Sequence, residues 1–527
     1  MNIRQHVRYI GFAMCGVILT GSILRAQLVD AATYYLAPSG SDSNSGTSAT
    51  SPWKTFGKVF NSSKILKAGD TLILLDGTYD DSKSGYPNIS CTSNANNGTV
   101  SAPITIKARN ERRAWIKGKG LNNDVFKIAN CSYWVIEGLH VSDVDRNNGN
   151  VSSRHGLFVR NSNHITIRRV LAERNNRYYN SHPIMLYAVH NSLIEDVEIY
   201  YFHRHGLSFG GGGTGNTIRR VYAHSRNYAD IAGGYPSSGI DGAKGDTGIT
   251  IYPGSNHVIE NVIMENVANA VTLGHAINTT ENNRCFGCIA LNTRYGFVTD
   301  GGGSTSSTRP RNISLQNSVA INSSVYGVDL LSTVNGNLTN VSLFNGGLHG
   351  LEVIRDGQDS GGGAYSITGK NLLILNNKGS GVRITADIPT WTIDHAVVNG
   401  NGTNLNPSSS ANYINVSTAA PTGLGSCKLW IPDGSSLKGA GKNGSDIGAN
   451  ILYRYENGVL TKTPLWDRVT AQFPCGAIVP GLNDITGSSC FDVHKRLNVN
   501  ANGCSLPAGY GGQQSLSSPP NLRIVSP

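Results

Sequence analysis

A short phrase, in which one small residue precedes alternating apolar residues, recurs along most of the chain. It reads HGLFV, HPIML, HGLSF, TGITI, NAVTL, YGFVT, YGVDL, HGLEV and SGVRI, with its second residue at positions 156, 183, 206, 248, 270, 296, 327, 350 and 381. The successive steps are 27, 23, 42, 22, 26, 31, 23 and 31 residues. A period of this size predicts a solenoid built from stacked repeats.

A second phrase follows within the repeats, for example NHITIRRVLAERN from Asn163. Its apolar residues alternate, skip two positions at a bend and alternate again, as in Ile165, Ile167, Val170 and Ala172. Alternation with period two predicts short strands that turn around a common core and pair in parallel from coil to coil. Helical repeats are the alternative, but β-branched alternation and 63 glycines make poor helices. We therefore expect an all-β solenoid.

The first coil of such a solenoid needs a cover, because its strand edges and core are otherwise exposed. Ser51 and Pro52 can begin a helix, and its apolar residues Trp53, Phe56, Val59 and Phe60 would lie on one side. We predict that this N-terminal helix caps the solenoid.

Residues 1 to 32 have the pattern of a secretion signal, with Arg4 and Arg8 before an apolar stretch and small residues at its end. The apolar stretch is too short and interrupted for a membrane span, and no later segment approaches one. Without Cys15, eight cysteines remain, an even number that fits disulfides in an oxidising compartment. We expect a secreted or cell-surface protein without a membrane span, and the cysteine pairing stays open.

Three stretches resemble a known superfamily: YYLAPSGSDSNSGTSATSPWKTF from Tyr34, AGDTLILLDGTY from Ala68 and GAGKNGSDIGA from Gly439. They are similar to the bacterial pectate-lyase-like proteins, over roughly residues 33 to 450. The resemblance implies a right-handed parallel β-helix and a polysaccharide partner. It does not fix the reaction, since the superfamily contains lyases, hydrolases, epimerases and non-catalytic surface proteins.

These features divide the chain into five parts. They are a signal peptide (1–32), an N-terminal cap with the first coils (33–120), the parallel β-helix (121–450), a Cys-containing segment (451–512) and a flexible tail (513–527).

The charge of the chain bears on its partner. The formal net charge is +10, and residues 101 to 226 contain 18 Lys and Arg against 9 Asp and Glu. A basic concentration on an exported protein points to a polyanion such as a uronic-acid polymer, although a solvated surface explains the same charge. We expect an acidic polysaccharide as partner, no nucleic acid and a monomeric protein.

One step of the repeat, from Gly206 to Gly248, is 42 residues long, so residues after Arg226 must leave the coil as a loop. Loops on rigid scaffolds often carry function, although glycine-rich polar loops also arise from turn chemistry alone. This loop contains Asp230, Tyr235, Asp241, Lys244 and Asp246.

Histidine precedes the small residue of the phrase in three successive coils, at His155, His182 and His205. If the register holds, these histidines stack along one edge, beside the long loop. A structural ladder is one interpretation, and a substrate groove is the other, because aromatic faces stack on sugars and arginines pair with carboxylates. The candidate substrate-binding residues are Arg154, His155, Arg177, Tyr178, Tyr179, His182, His203 and Tyr235.

Our first functional hypothesis is a polysaccharide lyase that acts on a uronate-containing glycan. Ca²⁺ on Asp230, Asp241 and Asp246 would neutralise the uronate, and Lys244, Arg204 or His205 would remove the proton. The stretch IDGAKGD from Ile240 resembles the residue types of β-helix pectate lyases. A non-catalytic carbohydrate-binding protein and a glycoside hydrolase that uses the same three aspartates remain alternatives.

The pair Cys285 and Cys288 has the spacing of a metal or redox site. Alignment with the second phrase puts both cysteines at inward positions, where Ile218 and Val221 stand in an earlier coil. Two small core residues or a local disulfide is therefore the favoured interpretation.

Overall fold

The chain forms a parallel β-solenoid, here a computed structural model. It describes residues 31–61, 64–80, 84–118, 124–142, 155–173, 182–200, 202, 204–224, 247–275, 280–300, 309–357, 364–467, 473, 504, 506–507 and 509–510. No helix within these ranges is long and apolar enough to cross a membrane.

Within the described residues, one sheet contains 12 strands, each contributed by a successive coil, and all of its pairings are parallel. Its strands are β4 (Asn88–Ser90), β7 (Phe126–Ala129), β10 (His155–Asn163), β13 (His182–His190), β15 (His205–Gly210), β18 (Thr247–Ile251), β22 (Asn269–His275), β25 (Tyr295–Asp300), β27 (Tyr326–Leu331), β29 (His349–Ile354), β31 (Ser380–Ile384) and β33 (Thr403–Asn406).

The second sheet contains 20 strands in the described residues, because many coils contribute a strand on each side of a bend. Its strands are β1 (Thr33–Leu36), β2 (Thr71–Leu74), β3 (Gly77–Tyr79), β5 (Ile104–Ala108), β6 (Ala114–Lys117), β8 (Trp134–Glu137), β9 (His140–Ser142), β11 (Thr166–Arg168), β12 (Leu171–Glu173), β14 (Leu193–Tyr200), β17 (Thr217–His224), β20 (Val258–Glu260), β21 (Ile263–Glu265), β23 (Arg284–Phe286), β24 (Ile289–Leu291), β26 (Ser314–Ile321), β28 (Gly336–Phe344), β30 (Ser366–Leu375), β32 (Thr390–Asn399) and β34 (Tyr413–Ser417).

Two short pairings complete the strands. The parallel pair is β16 (Gly213–Thr214) with β19 (Gly254–Ser255), and the antiparallel hairpin is β35 (Tyr453–Glu456) with β36 (Val459–Pro464).

The bend inside each coil is made by a residue in the left-handed region. Arg169 (φ 54°) separates β11 from β12, and Asn261 (φ 48°) separates β20 from β21. Asparagine tolerates this conformation better than most residues, which explains why it recurs at the bends. The four residues predicted to flank one bend, Ile165, Ile167, Val170 and Ala172, are all buried in the core. The predicted alternation around a bend is confirmed.

The register of the repeated phrase is also confirmed. His155 pairs with His182, Ile184 with Leu207, and His205 with Thr247. Positions 156, 183, 206 and 248 are therefore equivalent. A small residue recurs there because the neighbouring coil is close: a Cβ at Gly206 would lie 2.8 Å from the carbonyl oxygen of Gly248.

A single five-residue α-helix, α1 (Phe56–Phe60), lies near the start of the described chain, with Thr55 as its N-cap. It begins later than the predicted start at Ser51 and Pro52. Its buried residues are Phe56, Val59 and Phe60. Trp53, which precedes the helix, is buried as well. Its role as a cap stays a prediction.

After β34 the chain packs against the outward face of the 20-stranded sheet. Trp430 and Trp466 are buried in a second apolar cluster with residues of the solenoid such as Ile289 and Phe344. A disulfide joins Cys427 to Cys504. The segment predicted from residue 451 thus contains described residues that contact the solenoid, and its Cys504 is bonded to the preceding stretch.

Candidate active site

The outward face of the 12-stranded sheet is defined by strand alternation. In each phrase the third and fifth residues point into the core, so the fourth points outward. In the phrase YGVDL, Val328 and Leu330 belong to the core, and Asp329 lies on the outward face. The equivalent positions in the next two coils hold Glu352 and Arg383. Glu352 is paired in register with Asp329, and Arg383 is paired with Glu352.

Asp329 is an acid held in a nearly water-free position. Its residue is only 7% exposed, and its Oδ1 atom has no hydrogen-bond partner among the described residues. Burial raises the pKa of Asp329 to about 8, with further contributions from the negative charges of Glu352 and Asp300. At neutral pH this carboxyl group therefore keeps its proton.

Glu352 has a different electrostatic environment. It is 1% exposed, and burial raises its pKa, but Arg383 opposes that rise because its Nη1 donates a hydrogen bond to Glu352 Oε1. The second oxygen, Oε2, has no hydrogen-bond partner in the described part of the chain and lies 3.9 Å from His349 Nε2. The pKa of Glu352 is still raised overall, as is that of Asp329, but only Glu352 has a cation that stabilises its ionised form.

An aromatic column lines one side of the two acids, at the first residue of each strand. The Tyr326 and His349 rings are stacked, with centroids 5.4 Å apart, and Tyr295 meets Tyr326 edge-on at 5.6 Å. The Ser380 backbone N–H donates to His349 Nδ1 at 2.8 Å, which leaves the imidazole proton on Nε2 when the ring is neutral. Burial lowers the pKa of His349 and raises that of Tyr326.

A histidine–aspartate pair lies on earlier strands of the same face. His275 Nδ1 is 2.9 Å from Asp300 Oδ2, and His275 Nε2 is 3.4 Å from Thr250 Oγ1. The pair is partly exposed, unlike Asp329 and Glu352. This face therefore combines a proton donor, a carboxylate, a phenol, an imidazole and a guanidinium, which is the inventory that acid–base catalysis requires.

These residues were not among the sequence candidates, although a signal for them exists. Among the nine repeated phrases, the fourth position is charged only in YGVDL, HGLEV and SGVRI. These three phrases belong to consecutive coils, so their charged side chains must meet in one column once the register is known.

The predicted histidine stack is confirmed. The rings of His155 and His182 are 5.1 Å apart, as are those of His182 and His205, and both pairs are stacked. Burial lowers the pKa of His182 and of His205 well below the usual value, and neighbouring Arg204 adds to the effect on His205. Neutral buried rings fit a structural ladder, and a role of these residues or of Arg204 in a reaction stays a prediction.

The remaining predicted site residues lie outside the described residues. They are Arg154, Arg177, Tyr178, Tyr179, His203, Asp230, Tyr235, Asp241, Lys244 and Asp246. In the part of the chain that the structure describes, no group of three acidic, histidine or cysteine side chains is arranged to hold a metal ion. A calcium site on Asp230, Asp241 and Asp246 stays a prediction.

The cysteines form local and long-range links. Cys285 and Cys288 are joined by a disulfide and fully buried, in agreement with the favoured interpretation of this pair. A second disulfide joins Cys91 to Cys131 in the first coils.

This chain is similar to one family model and to several solved structures. Residues 34–243 match the family model described as Pel9A-like, right handed beta helix region. The chain is similar in structure to pectate lyase Pel9A, with 15% identity, 79% of this chain and 95% of that chain covered, and a TM-score of 0.42. It is similar to the A-module of the Azotobacter vinelandii mannuronan C-5 epimerase AlgE6, with 12% identity and a TM-score of 0.46. The match covers 67% of this chain and 92% of that chain. A mannuronic acid specific family 6 polysaccharide lyase from human gut microbiota is also similar, with 10% identity and a TM-score of 0.47. That match covers 74% of this chain and 91% of the lyase. A search of curated protein sequences finds no match.

Proposed function

We propose that this chain belongs to the pectate-lyase-like superfamily of right-handed parallel β-helix proteins and is a secreted enzyme that cleaves an acidic glycan by β-elimination. The observation that carries the proposal is the direct pairing of buried Asp329, whose pKa is raised to about 8, with Glu352, whose Oε1 accepts a hydrogen bond from Arg383. The two buried disulfides within the solenoid support export, because such bonds persist in oxidising compartments.

Each residue has a role in the proposed reaction. Elimination removes the proton from the carbon that bears the uronate carboxylate, forms a double bond to the neighbouring carbon and expels the glycosidic oxygen. Oε2 of Glu352, which has no hydrogen-bond partner in the described residues, accepts the proton. Asp329 donates its proton to the leaving oxygen, and the partly exposed guanidinium of Arg383 pairs with the uronate carboxylate.

For this reaction we propose a uronate polymer as the substrate and Ca²⁺ as the metal. Residues 34–243 match the family region named after Pel9A, which is a pectate lyase, and this supports a uronate polymer as substrate. The basic stretch from residue 101 to 226 supports the same choice. Ca²⁺ bound by Asp230, Asp241 and Asp246 would supply additional positive charge for the uronate, and hard oxygen ligands suit this ion.

Hydrolysis is the second candidate, and the acid pair itself favours it. Asp329 and Glu352 lie beyond the residues that match the family model, on adjacent strands about 4.8 Å apart. Retaining glycosidases place one protonated and one ionised carboxyl group about 5–5.5 Å apart. In that reaction Asp329 would protonate the glycosidic oxygen while Glu352 attacks the sugar.

A product assay distinguishes the two reactions. The full chain is incubated with a panel of polyuronates and neutral polysaccharides, with calcium or a chelator, and both ultraviolet absorbance and new reducing ends are followed. Elimination predicts equal amounts of unsaturated product and reducing ends from a polyuronate. Reducing ends without absorbance would select hydrolysis, and no product from any polymer would overturn both candidates.

A further inference from the structure

A second column on the outward face of the 12-stranded sheet lies near the end of the strands, several coils before Asp329. Arg160 on β10 pairs with Tyr187 on β13, and Tyr187 pairs with Gly210 on β15. Tyr252 comes next in the column, because it follows Ile251, the partner of Phe209. Tyr187 is 45% and Tyr252 39% exposed, and no other tyrosine, tryptophan or phenylalanine in the described ranges is as exposed.

The ring of Tyr187 lies against glycine backbone. A Cβ atom at Gly211 would lie 2.8 Å from Tyr187 Cε1, and one at Gly210 would lie 3.4 Å from Tyr187 Cδ2. The two glycines therefore leave space in which the ring can lie flat on the chain, with one side supported and the other toward solvent. A supported aromatic ring presents a large contact area at a low cost in conformational entropy.

Tyr252 is held in a different way. The ring of His275 meets it edge-on with centroids 4.7 Å apart, and His275 is in turn paired with Asp300. Gly210 lies between the two tyrosines in the column. Because it has no side chain, the surface between the two rings is open. Two strand spacings, about 10 Å, separate Tyr187 from Tyr252.

We infer that Arg160, Tyr187 and Tyr252 form a binding subsite for an acidic oligosaccharide. The tyrosine rings stack on sugar rings, and the exposed guanidinium of Arg160 pairs with a uronate carboxylate. Tyr252 lies three strand spacings, about 14 Å, before Asp329 along the same face. The subsite therefore engages only oligosaccharides that are long enough to reach it from the acid pair. This last step rests on the proposed function, whereas binding at the subsite does not.

Calorimetric titration of the full chain with oligogalacturonates of increasing length tests the inference. Tyr187→Ala should raise the Kd for long oligomers about tenfold. Tyr187→Phe keeps the ring, so its Kd should stay close to that of the wild type. Arg160→Gln should weaken binding and reduce its dependence on salt. Val459→Ala, an exposed position on the C-terminal hairpin, is the matched control and should change nothing.

The outcomes separate this inference from the proposed reaction. Wild-type binding that Tyr187→Ala leaves unchanged at every length would overturn the subsite, as would the absence of any binding. Equal affinity for neutral oligosaccharides would overturn its preference for acidic ones. Binding that depends on Tyr187, without cleavage by the wild type, would support the subsite and contradict the enzyme.

Discussion

Asp329 and Glu352 occupy directly paired positions on adjacent parallel strands, and both are almost completely buried although they lie on the outward face of their sheet. Only Glu352 is hydrogen-bonded to a cation, Arg383. Two neighbouring carboxyl groups with unequal partners titrate differently, and acid–base roles follow from that difference.

The raised pKa of Asp329 predicts a dependence of stability on pH. The folded protein keeps this proton up to about pH 8, whereas the unfolded chain loses it near the ordinary value of 3.8. Between these values the folded state binds more protons, so stability falls as pH rises. Asp329→Asn, which cannot ionise, should raise the melting temperature at about pH 9. The gain should disappear toward about pH 4, and Asp433→Asn at an exposed site should show no such trend. An equal pH dependence in wild type and Asp329→Asn would contradict the assignment.

The pairing of Glu352 with Arg383 predicts coupled effects on stability. Arg383→Gln leaves a buried carboxylate without its cation, and because Arg383 is partly exposed we expect a loss of about 1–3 kcal/mol. Glu352→Gln should recover most of this loss in the double variant. Denaturant unfolding of the four proteins measures the coupling, and strictly additive losses would show that the two side chains do not interact.

The histidine stack predicts sensitivity to acid. Burial lowers the pKa of His182, so the folded protein leaves it neutral while the unfolded chain takes up a proton below about pH 6.5. Stability contributed by this group is present above that pH and is lost as the pH falls. His182→Phe preserves an aromatic ring in the stack. Its melting temperature should fall less between about pH 7.5 and 5 than that of the wild type. The exposed control His164→Asn should behave as wild type, and an unchanged acid response in His182→Phe would refute the explanation.

The stretch that follows β34 predicts a large loss of stability when one of its buried side chains is removed. Trp430 is 1% exposed and packs in the cluster that covers the outward face of the 20-stranded sheet. Trp430→Ala should cost about 3–5 kcal/mol, whereas Val459→Ala at 65% exposure should cost less than about 0.5 kcal/mol. Thermal or denaturant unfolding checks both values. A small effect at Trp430 would mean that the segment is not part of the cooperative unit.

Much of the solenoid could be predicted because strand periodicity acts locally. The spacing of the small residues identified equivalent positions, and the pairing of His155 with His182 follows from that spacing. The bend at Arg169 appears in the sequence as two skipped positions between Ile167 and Val170.

The acid pair and the C-terminal packing could not be predicted in the same way. The position of Asp329 in its phrase shows that it points outward, but its burial depends on the structure around it. Trp430 covers strands that are distant in sequence, so no local sequence pattern predicts this contact. The step from Gly206 to Gly248 is longer than the others and therefore predicts a functional loop, whereas charged residues within regular coils have the pattern of an ordinary surface.

We propose that Asp329 and Glu352 together cleave an acidic glycan. The most direct measurement compares polyuronate cleavage by wild type, Asp329→Asn, Glu352→Gln and the surface control Asp433→Asn, at matched folded concentrations. We predict that each site variant loses at least about a hundredfold in kcat/KM, as expected for loss of a general acid or base, while Asp433→Asn retains full activity. Wild-type rates in Asp329→Asn and Glu352→Gln would contradict the account.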